Sequence, residues 1–335
     1  MLGFVLKRLL LLVPILLGVT LVVFAAIHAI PGDTALLTLG EKATPEALAA
    51  LRHELGLDRP LPVQYADFLG HLLQGDLGRS VQTGNPVVAE LLERFPATLE
   101  LAVAALAIAV GVGVPLGILA AVKRNSAADY VAMSGSLLGV SMPIFWLGLV
   151  FMMIFSAWLG WLPFSQRADI LVTTPRVTGF LLVDTLLDRD VWAFQDAIAH
   201  LILPALTLST VPMAIIARMT RGAMVEVLSS DYIRMARAKG LGEWVINFKH
   251  ALKNAAIPIA TITGLQFGML LSGAIITETI FAWPGIGSLS VGAIFTRDFP
   301  VLQGCAVLFA VSFVLVNLAT DVVYTLLDPR LRAGQ

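Results

Sequence analysis

Charged residues are scarce in this sequence. Asp, Glu, Lys and Arg make up 13% of its 335 residues, whereas 58% are hydrophobic, and an average soluble domain carries about 25% charged residues. A chain with so few charges cannot cover a water-facing surface, so most of it must face a medium other than water. The formal net charge of −1 gives no electrostatic reason to expect a nucleic-acid partner.

Cysteine and histidine are also rare. Cys305 is the single cysteine, which excludes an internal disulfide and a thiolate cluster. It lies in an apolar run, where we expect a small buried side chain. His28 and His200 lie at the ends of apolar runs and are predicted to be interfacial residues instead of ligands. The sequence therefore predicts no metal site.

Two catalytic devices are missing as well. No Gly-x-x-x-x-Gly-Lys-Ser/Thr phosphate loop occurs, so the chain cannot bind and split ATP through that motif. Ser141 and Ser272 lie in apolar runs without a convincing His or Lys partner, so no nucleophile–base pair is evident. A membrane-embedded hydrolase would need a catalytic group within such a run. We therefore predict that the protein is not an enzyme.

Long apolar runs dominate what is present. A helix needs about 20 mostly apolar residues to cross a bilayer, and it satisfies its backbone polar groups internally. Six runs qualify, near Leu9–Ile30, Leu99–Val122, Val131–Leu159, His200–Ala217, Ile257–Phe281 and Gln303–Leu327. The fourth is the weakest because Pro204 and Pro212 each remove a backbone donor. The sequence thus predicts an all-α polytopic membrane protein with six transmembrane helices.

The first run could instead be a signal peptide, because Lys7 and Arg8 precede it. It is longer than the usual apolar core of about 7–15 residues. The sequence Ile30-Pro31-Gly32-Asp33 is also a poor cleavage site. We therefore expect this run to be the first span.

The distribution of basic residues predicts the orientation. When both termini are placed in the cytoplasm, short basic flanks such as Lys123–Arg124 and Arg330–Arg332 all fall on the cytoplasmic side. The basic residues left outside lie mostly in the long segment Pro31–Pro96, and long translocated segments weigh little in this rule. We therefore predict a multi-pass membrane protein with cytoplasmic termini.

The spans divide the chain into regions. We expect a first transmembrane helix at 1–30, an extracytoplasmic segment at 31–97, a five-helix core at 98–327 and a cytoplasmic tail at 328–335. The core carries an outer cap at about 163–199 and a cytoplasmic loop at about 220–256, named the cap and the 220–256 loop below. The acidic cap is rich enough in apolar residues to be ordered. It is either a dock for a soluble partner or a lid without one.

The 220–256 loop has the pattern of two short helices joined by glycines. Ser230 or Asp231 can cap the first helix, and Gly240 and Gly242 can end it. Its apolar face is predicted to be Tyr232, Met235 and Ala236, and its basic face Arg234, Arg237 and Lys239. Glu243 opens a second amphipathic helix through Leu252. Such a knob could seat in a groove of a soluble motor or rest on anionic lipid headgroups, and the physics alone does not separate the two.

This loop resembles the so-called EAA loop of ABC importer permeases. The similarity is to the dipeptide/oligopeptide/nickel branch, in the stretches Asp231–Leu241 and His250–Pro258. Arg234, Met235 and Lys253 depart from the general motif but match that branch. The further matches, in order along the chain, are Gly75–Ser80, Arg94–Leu101, Ser141–Gly148, Thr277–Gly287 and Asp328–Arg332. The segment between Thr173 and Asp196 most resembles the first permease of dipeptide systems.

The resemblance implies a type I ABC importer permease-like fold, a place in a bacterial inner membrane and a defined assembly. The chain would be the permease subunit of an ATP-driven importer of dipeptides or short peptides, forming half of the translocation path. Its partners would be a second, homologous permease, two ABC ATPase subunits that hold ATP and Mg, an extracytoplasmic peptide-binding protein and membrane lipid. The chain itself would carry no cofactor.

Three groups of residues are expected to carry this function. The ATPase-coupling residues are Asp231, Tyr232, Arg234, Ala236, Arg237, Ala238, Lys239, Gly240 and Leu241. The candidates for a path or gate are Glu278, Pro143 and Phe145; outer-interface solvation or pairing with Arg297 is an equal alternative for Glu278. The candidates for binding-protein contact are Asp76, Arg79, Asp184 and Asp188.

A self-contained secondary transporter or channel is the alternative function. It would predict charged residues at the membrane midplane and internal repeats related by inversion. The sequence contains neither, and six spans are few for such a carrier.

Overall fold

A computed structural model describes residues 2–29, 44–54 and 56–327 of the chain. Within these ranges the regular structure is helical, and the only β-type pairing is an isolated bridge between Arg79 and Pro86. The first helices are α1 (Leu2–Ala29), α2 (Pro45–Glu54), α3 (Leu61–Leu73), α4 (Val87–Val122), α5 (Ala127–Ser141) and α6 (Ile144–Phe151, extended by a π-helical turn Met152–Trp158). The others are α7 (Leu181–Leu187), α8 (Val191–Leu228), α9 (Asp231–Ala238), α10 (Leu252–Gly273, preceded by a π-helical turn Val245–Ala251), α11 (Ile275–Ile280), α12 (Ile286–Thr296) and α13 (Phe299–Leu327).

The predicted spans agree with the structure in part. Among the described residues, four helices are long and apolar enough to cross a membrane: Val87–Val122, Val191–Leu228, Val245–Ser272 and Phe299–Val322. The predicted third span is a pair, α5 and α6, bent by 103°, and it makes a fifth if the pair counts as one. In α1 the apolar stretch whose side chains are described is Val13–Ala29, and it is shorter than the length required of a span. The first span therefore stays a prediction. The C-terminal tail, with Asp328–Arg332, lies outside the described residues.

The span predicted to be weakest is the longest helix. α8 runs unbroken for 38 residues with Pro204 and Pro212 inside it. Hydroxyl groups of Thr207 and Thr210 donate to the carbonyl oxygens of Leu203 and Thr207, at 2.8 and 2.9 Å. These side chains add polar contacts along a helix that is mostly buried among its neighbours, which is the setting in which membrane helices tolerate proline. α8 extends for about 57 Å at 1.5 Å per residue.

Small residues allow α4 to pack closely against α8. A Cβ added to Gly113 would lie 2.8 Å from the carbonyl oxygen of Met213, and one added to Gly117 would lie 2.5 Å from Cβ of Thr220. Gly264 of α10 faces Thr320 of α13 with equally little room. Helices in a membrane associate largely through such close packing. These glycines therefore fix the positions of the helices that carry the loops at either end.

The bundle has two ends, which we name by what they carry. The cap end holds residues 163–190 and the start of α8, and the loop end holds α9 at the other end of α8. A buried cluster at the cap end includes Leu101, Leu201 and Trp283, and one at the loop end includes Met224 and Ile246. Cys305 is 1% exposed and unpaired, which confirms its predicted burial.

Two predicted helix ends were wrong. The second helix of the 220–256 loop does not end at Leu252 but continues through the π-helical turn into α10. Pro258 lies inside α10 without breaking it, nearly two turns after the helix begins. The predicted fifth span ends at Gly273 rather than Phe281, and a one-residue turn at Ala274 separates it from α11.

Candidate functional site

The short helix α9 is fixed to the bundle by two residues. Ile233 and Ala236 are 0% and 9% exposed and join the buried cluster at the loop end. Tyr232 and Met235 are 43% and 60% exposed. The predicted apolar face is therefore only partly right, because the helix buries Ile233 and Ala236, and only Ala236 belongs to the predicted face. Tyr232 and Met235 lie on the outer surface instead.

The turn after α9 is closed by glycine and by an ion pair. Gly240 has φ +74°, the left-handed conformation that ends a helix, and its N–H donates to the carbonyl of Arg237 at 2.9 Å. The Arg237 guanidinium pairs with Glu243 across the turn, Nε to Oε1 at 2.9 Å. Gly242 has no such backbone requirement. Gly240 thus ends α9 in a turn, and Arg234 and Lys239 stay exposed.

Two aromatic residues of the loop were missed by sequence reasoning. Trp244 and Phe248 are 71% and 43% exposed, and their ring centroids are 5.2 Å apart. They lie four residues apart, which places them on one helix face, and that spacing was visible in the sequence. Asn254 Nδ2 donates to the Tyr232 hydroxyl at 2.7 Å and joins α9 to α10. The loop end therefore presents basic and aromatic side chains on one protruding unit. We call this unit, α9 through the π-helical turn that ends at Ala251, the knob.

The outer turn after α11 buries a carboxylate. Glu278 is 0% exposed; the Thr98 hydroxyl donates to its Oε1 at 2.7 Å and the Ser288 N–H to its Oε2 at 2.9 Å. Among the described residues the carboxylate is enclosed between α4 and α12 instead of facing solvent or pairing with Arg297, and its role in a path or gate stays a prediction. A Cβ at Gly285 would collide with this carboxylate, so the glycine is required by close approach.

Trp283 completes the same turn. Its indole N–H donates to the carbonyl of Ala97 at 2.8 Å, and the Ile286 N–H donates to the Thr98 hydroxyl at 2.8 Å. Trp283 is 1% exposed. The Thr277–Gly287 segment and the Arg94–Leu101 segment, which are separate matches in the sequence, therefore meet in one buried structure at the cap end.

The cap is ordered by its own acidic residues. Asp184 is 3% exposed and accepts from the N–H groups of Thr178 and Gly179 at 2.7 and 2.9 Å. It shapes a turn within the cap instead of presenting its carboxylate outward, so the geometry opposes its predicted contact with a binding protein. Burial acts to raise the pKa of Asp184, but the hydrogen bonds from Thr178 and Gly179 outweigh it and hold the pKa below its ordinary value. Asp188, at the end of α7, is exposed.

The remaining outer candidates lie on a surface turn. Asp76 is exposed and its Oδ1 accepts from the Gly78 N–H at 2.8 Å. Arg79 is exposed and donates to the carbonyl of Gly84 at 3.0 Å. Both side chains keep donors or acceptors directed outward, as a contact surface requires.

An internal ion pair attaches the cap to α4. Arg167 donates to Glu100 Oε2 through Nη2 at 2.6 Å, and Glu100 Oε1 accepts from the Leu182 N–H at 2.9 Å. The Glu100 side chain is 8% exposed. The predicted order of the cap therefore has a physical basis, a buried carboxylate that joins two of its segments.

Pro143 and Phe145 lie at the bend between α5 and α6. Pro143 precedes the first residue of α6, and the Phe145 side chain is 50% exposed. The bend places both on the outer surface of this single subunit. Among the residues described, no three His, Cys, Asp or Glu side chains lie close enough to hold a metal ion.

Two family models match this chain. One, described as "Binding-protein-dependent transport system inner membrane component", matches residues 113–333. The other, described as "Binding-prot-dependent transport system membrane comp, N-term", matches residues 1–102. Together they cover almost all of the sequence.

Curated relatives match over nearly the full length. The di/tripeptide transport system permease protein DppB of Pseudomonas aeruginosa (strain UCBPP-PA14) is 51% identical over 333 residues, 99% of each chain. The dipeptide transport system permease protein DppB of Escherichia coli (strain K12) is 47% identical over 336 residues, 99% of each chain. The glutathione transport system permease protein GsiC of Salmonella choleraesuis (strain SC-B67) is 43% identical over 332 residues, again 99% of each.

A solved structure has a similar fold. A chain of the MetNI methionine ABC transporter, in an inward-facing conformation, matches with a TM-score of 0.54 at 18% identity, covering 71% of this chain and 96% of that one. At this identity the likeness concerns the fold alone.

Proposed function

Because the chain belongs to the family of inner membrane components of binding-protein-dependent transport systems, we propose that it is a permease subunit of an ATP-driven importer of dipeptides or short peptides. Relatives named as dipeptide and di/tripeptide permeases, 47–51% identical over nearly the whole chain, support the substrate class. ATP and Mg belong to separate ATPase subunits, since this sequence has no phosphate loop.

The knob at the loop end is the observation that carries the proposal. Ile233 and Ala236 fix it to the helices, while Tyr232, Arg234, Lys239 and Trp244 face outward. A surface of exposed aromatic and basic side chains on a rigid support is suited to bind a soluble protein, because such residues supply most of the energy at protein interfaces. The coupling residues proposed from the sequence, Asp231–Leu241, all belong to this knob.

The knob can transmit movement because it is continuous with the helices on both sides. α8 ends two residues before α9, and the second helix of the loop runs through its π-helical turn into α10 without a break. A displacement of the knob by closing ATPases would therefore tilt α8 and α10 as levers. This arrangement favours motor coupling over a hairpin that rests on lipid headgroups.

The assembly we propose places the knob in the cytoplasm and the cap outside. A second, homologous permease completes the path, and two ATPases bind the knobs. The extracytoplasmic peptide-binding protein docks on the cap and on the turn with Asp76 and Arg79; Asp188 contributes from the end of α7, and Asp184 supports the cap from within. Pro143 and Phe145 face the path, whereas Glu278 supports the outer turn beside it.

Copurification and uptake together test the proposal. The chain is coexpressed with the proteins encoded next to it and purified in detergent; two ATPase subunits and a second permease should be retained. The assembly is then placed in liposomes with the binding protein, and ATP-dependent accumulation of Ala-Ala is expected. Peptide uptake by this chain alone, driven by an ion gradient, would instead establish the self-contained transporter.

A further inference from the structure

The bend between α5 and α6 exposes backbone polar groups. We call residues 139–146 the elbow; its sequence is Gly-Val-Ser-Met-Pro-Ile-Phe-Trp. The carbonyl oxygens from Gly139 to Met142 accept no hydrogen bond from the part of the chain that the structure describes. Pro143 has no N–H to offer Gly139, and the 103° turn takes the N–H groups of α6 away from the other carbonyls. Ser141 and Met142 are exposed.

The elbow lies at mid-height of the bundle. A Cβ added to Gly139 would lie 3.9 Å from the carbonyl oxygen of Thr210, and one added to Gly148 would lie 3.3 Å from Cγ2 of Thr207. Thr210 is the twentieth of the 38 residues of α8, the helix that connects the cap end to the loop end. The open carbonyls are therefore close to the middle of the bilayer.

Carbonyls without partners are not stable in hydrocarbon. Irregular backbone at membrane depth is tolerated only where protein covers it or where it lines a water-filled cavity. In this subunit the elbow is not covered, since Ser141, Met142 and Pro143 are exposed. The elbow must therefore face the partner permease or an aqueous path, and its surroundings in the assembly decide which.

We propose that the elbow is where the transported peptide rests in the membrane, with its protonated amino terminus and backbone N–H groups bound by the carbonyls of residues 139–142. This inference rests on the proposed function. The C-terminus of a helix carries partial negative charge, so the end of α5 favours a cation. The elbow contains no ionisable side chain, so it recognises what all short peptides share.

Neighbouring apolar side chains complete the site. Phe145 and Trp146 are 50% and 46% exposed on the first turn of α6. They offer apolar surface next to the carbonyls, where the side chains of a bound peptide can pack without a specific hydrogen bond. A neutral, tolerant site of this kind leaves selection among peptides to another component of the assembly.

Thiol labelling tests the proposal directly. Ser141→Cys and Met142→Cys are introduced into the full assembly; the native Cys305 is 1% exposed and should stay unlabelled. A charged, membrane-impermeant methanethiosulfonate reagent is added, and labelling of this subunit is followed. Leu315→Cys is the matched control, since Leu315 is 54% exposed near the middle of the unbroken helix α13. We expect labelling at 141 and 142 and none at 315.

Protection identifies the group that binds. Saturating Ala-Ala should slow labelling of Ser141→Cys at least about fivefold, by occupying the site, and N-acetyl-Ala-Ala should slow it little. Equal protection by the two compounds would overturn recognition of the amino terminus. No labelling at 141 or 142 would mean that the partner permease or lipid covers the elbow, which also overturns the proposal.

Uptake separates this inference from the function on which it rests. If the wild-type assembly accumulates Ala-Ala but the elbow is unlabelled, only the inference fails. If the wild-type assembly takes up no peptide while remaining intact, the proposed function fails and the inference fails with it.

Discussion

The guanidinium of Arg221 holds the buried carboxylate of Asp129 through two hydrogen bonds, Nε to Oδ1 at 2.6 Å and Nη2 to Oδ2 at 2.7 Å. Asp129 lies in the first turn of α5 and Arg221 about two turns before the end of α8. The N–H of Asn125 also donates to Asp129, at 3.0 Å. This pair fixes the turn between α4 and α5 to α8, next to the loop that we propose as the coupling element.

The pair should behave as one unit. Asp129→Ala and Arg221→Ala should each lower the melting temperature of the purified protein, because each leaves one charge without its partner in a poorly solvated place. The double variant should melt higher than the sum of the two losses predicts. Arg237→Ala and Glu243→Ala form the control cycle, and we expect near additivity there since that pair is exposed. Additive losses at Asp129 and Arg221 would contradict a coupled pair.

Trp244 should be a dominant contact of the coupling surface. Trp244→Ala should reduce ATP-dependent uptake and retention of the ATPases at least about tenfold, as truncation of an aromatic anchor does at protein interfaces. Its side chain is 71% exposed in this subunit, so the melting temperature should not change. Trp192→Ala, at 52% exposure on the cap end, is the matched control and should retain the ATPases. Full uptake by Trp244→Ala would place the motor contact elsewhere.

The helical class and the position of the 220–256 loop followed from the sequence because hydrophobic run length is a strong signal. The sequence did not predict which face of α9 is buried. Its helix is only eight residues long, and over two turns the choice between Ile233 and Tyr232 depends on the helices beneath it, which a local pattern does not contain. Gly240 was predictable because a left-handed residue at a helix end has a local cause.

Buried polar contacts between distant segments were the least predictable part. Glu278 and Thr98 are 180 residues apart in sequence, and no local pattern around either residue indicates that they meet. A carboxylate near a span end is compatible with a solvated interface or a path, and only the fold shows that it is enclosed. The unbroken α8 was missed for a similar reason, since the hydroxyl groups and neighbours that accommodate Pro204 and Pro212 are tertiary features.

The turn held by Asp184 should depend on pH. The pKa of this carboxyl in the folded protein lies below its ordinary value of 3.8, so its stabilising contribution is fully present above about pH 4 and is lost as the pH falls through the folded value. Amide exchange at Thr178 and Gly179, corrected for intrinsic rates, should rise over that range. Asp184→Asn should exchange faster than wild type above about pH 4 and lose this dependence, whereas Asp188→Asn should behave like wild type. A pH-independent wild type would rule out the carboxylate as the support of the turn.

Glu278 should be required for the structure of the outer turn more than for its charge. Glu278→Gln keeps an oxygen that can accept from Thr98 or Ser288, whereas Glu278→Ala leaves both donors buried without a partner. We expect Glu278→Ala to lose about 1–3 kcal/mol per orphaned donor, seen as a lower melting temperature and reduced yield. Glu278→Gln should lose less and keep uptake within a few-fold of wild type. Gly285→Ala is the steric counterpart, since its Cβ would collide with the Glu278 carboxylate; it should resemble Glu278→Ala. If Glu278→Gln instead abolished uptake at an unchanged melting temperature, the carboxylate would act in transport and not in the fold.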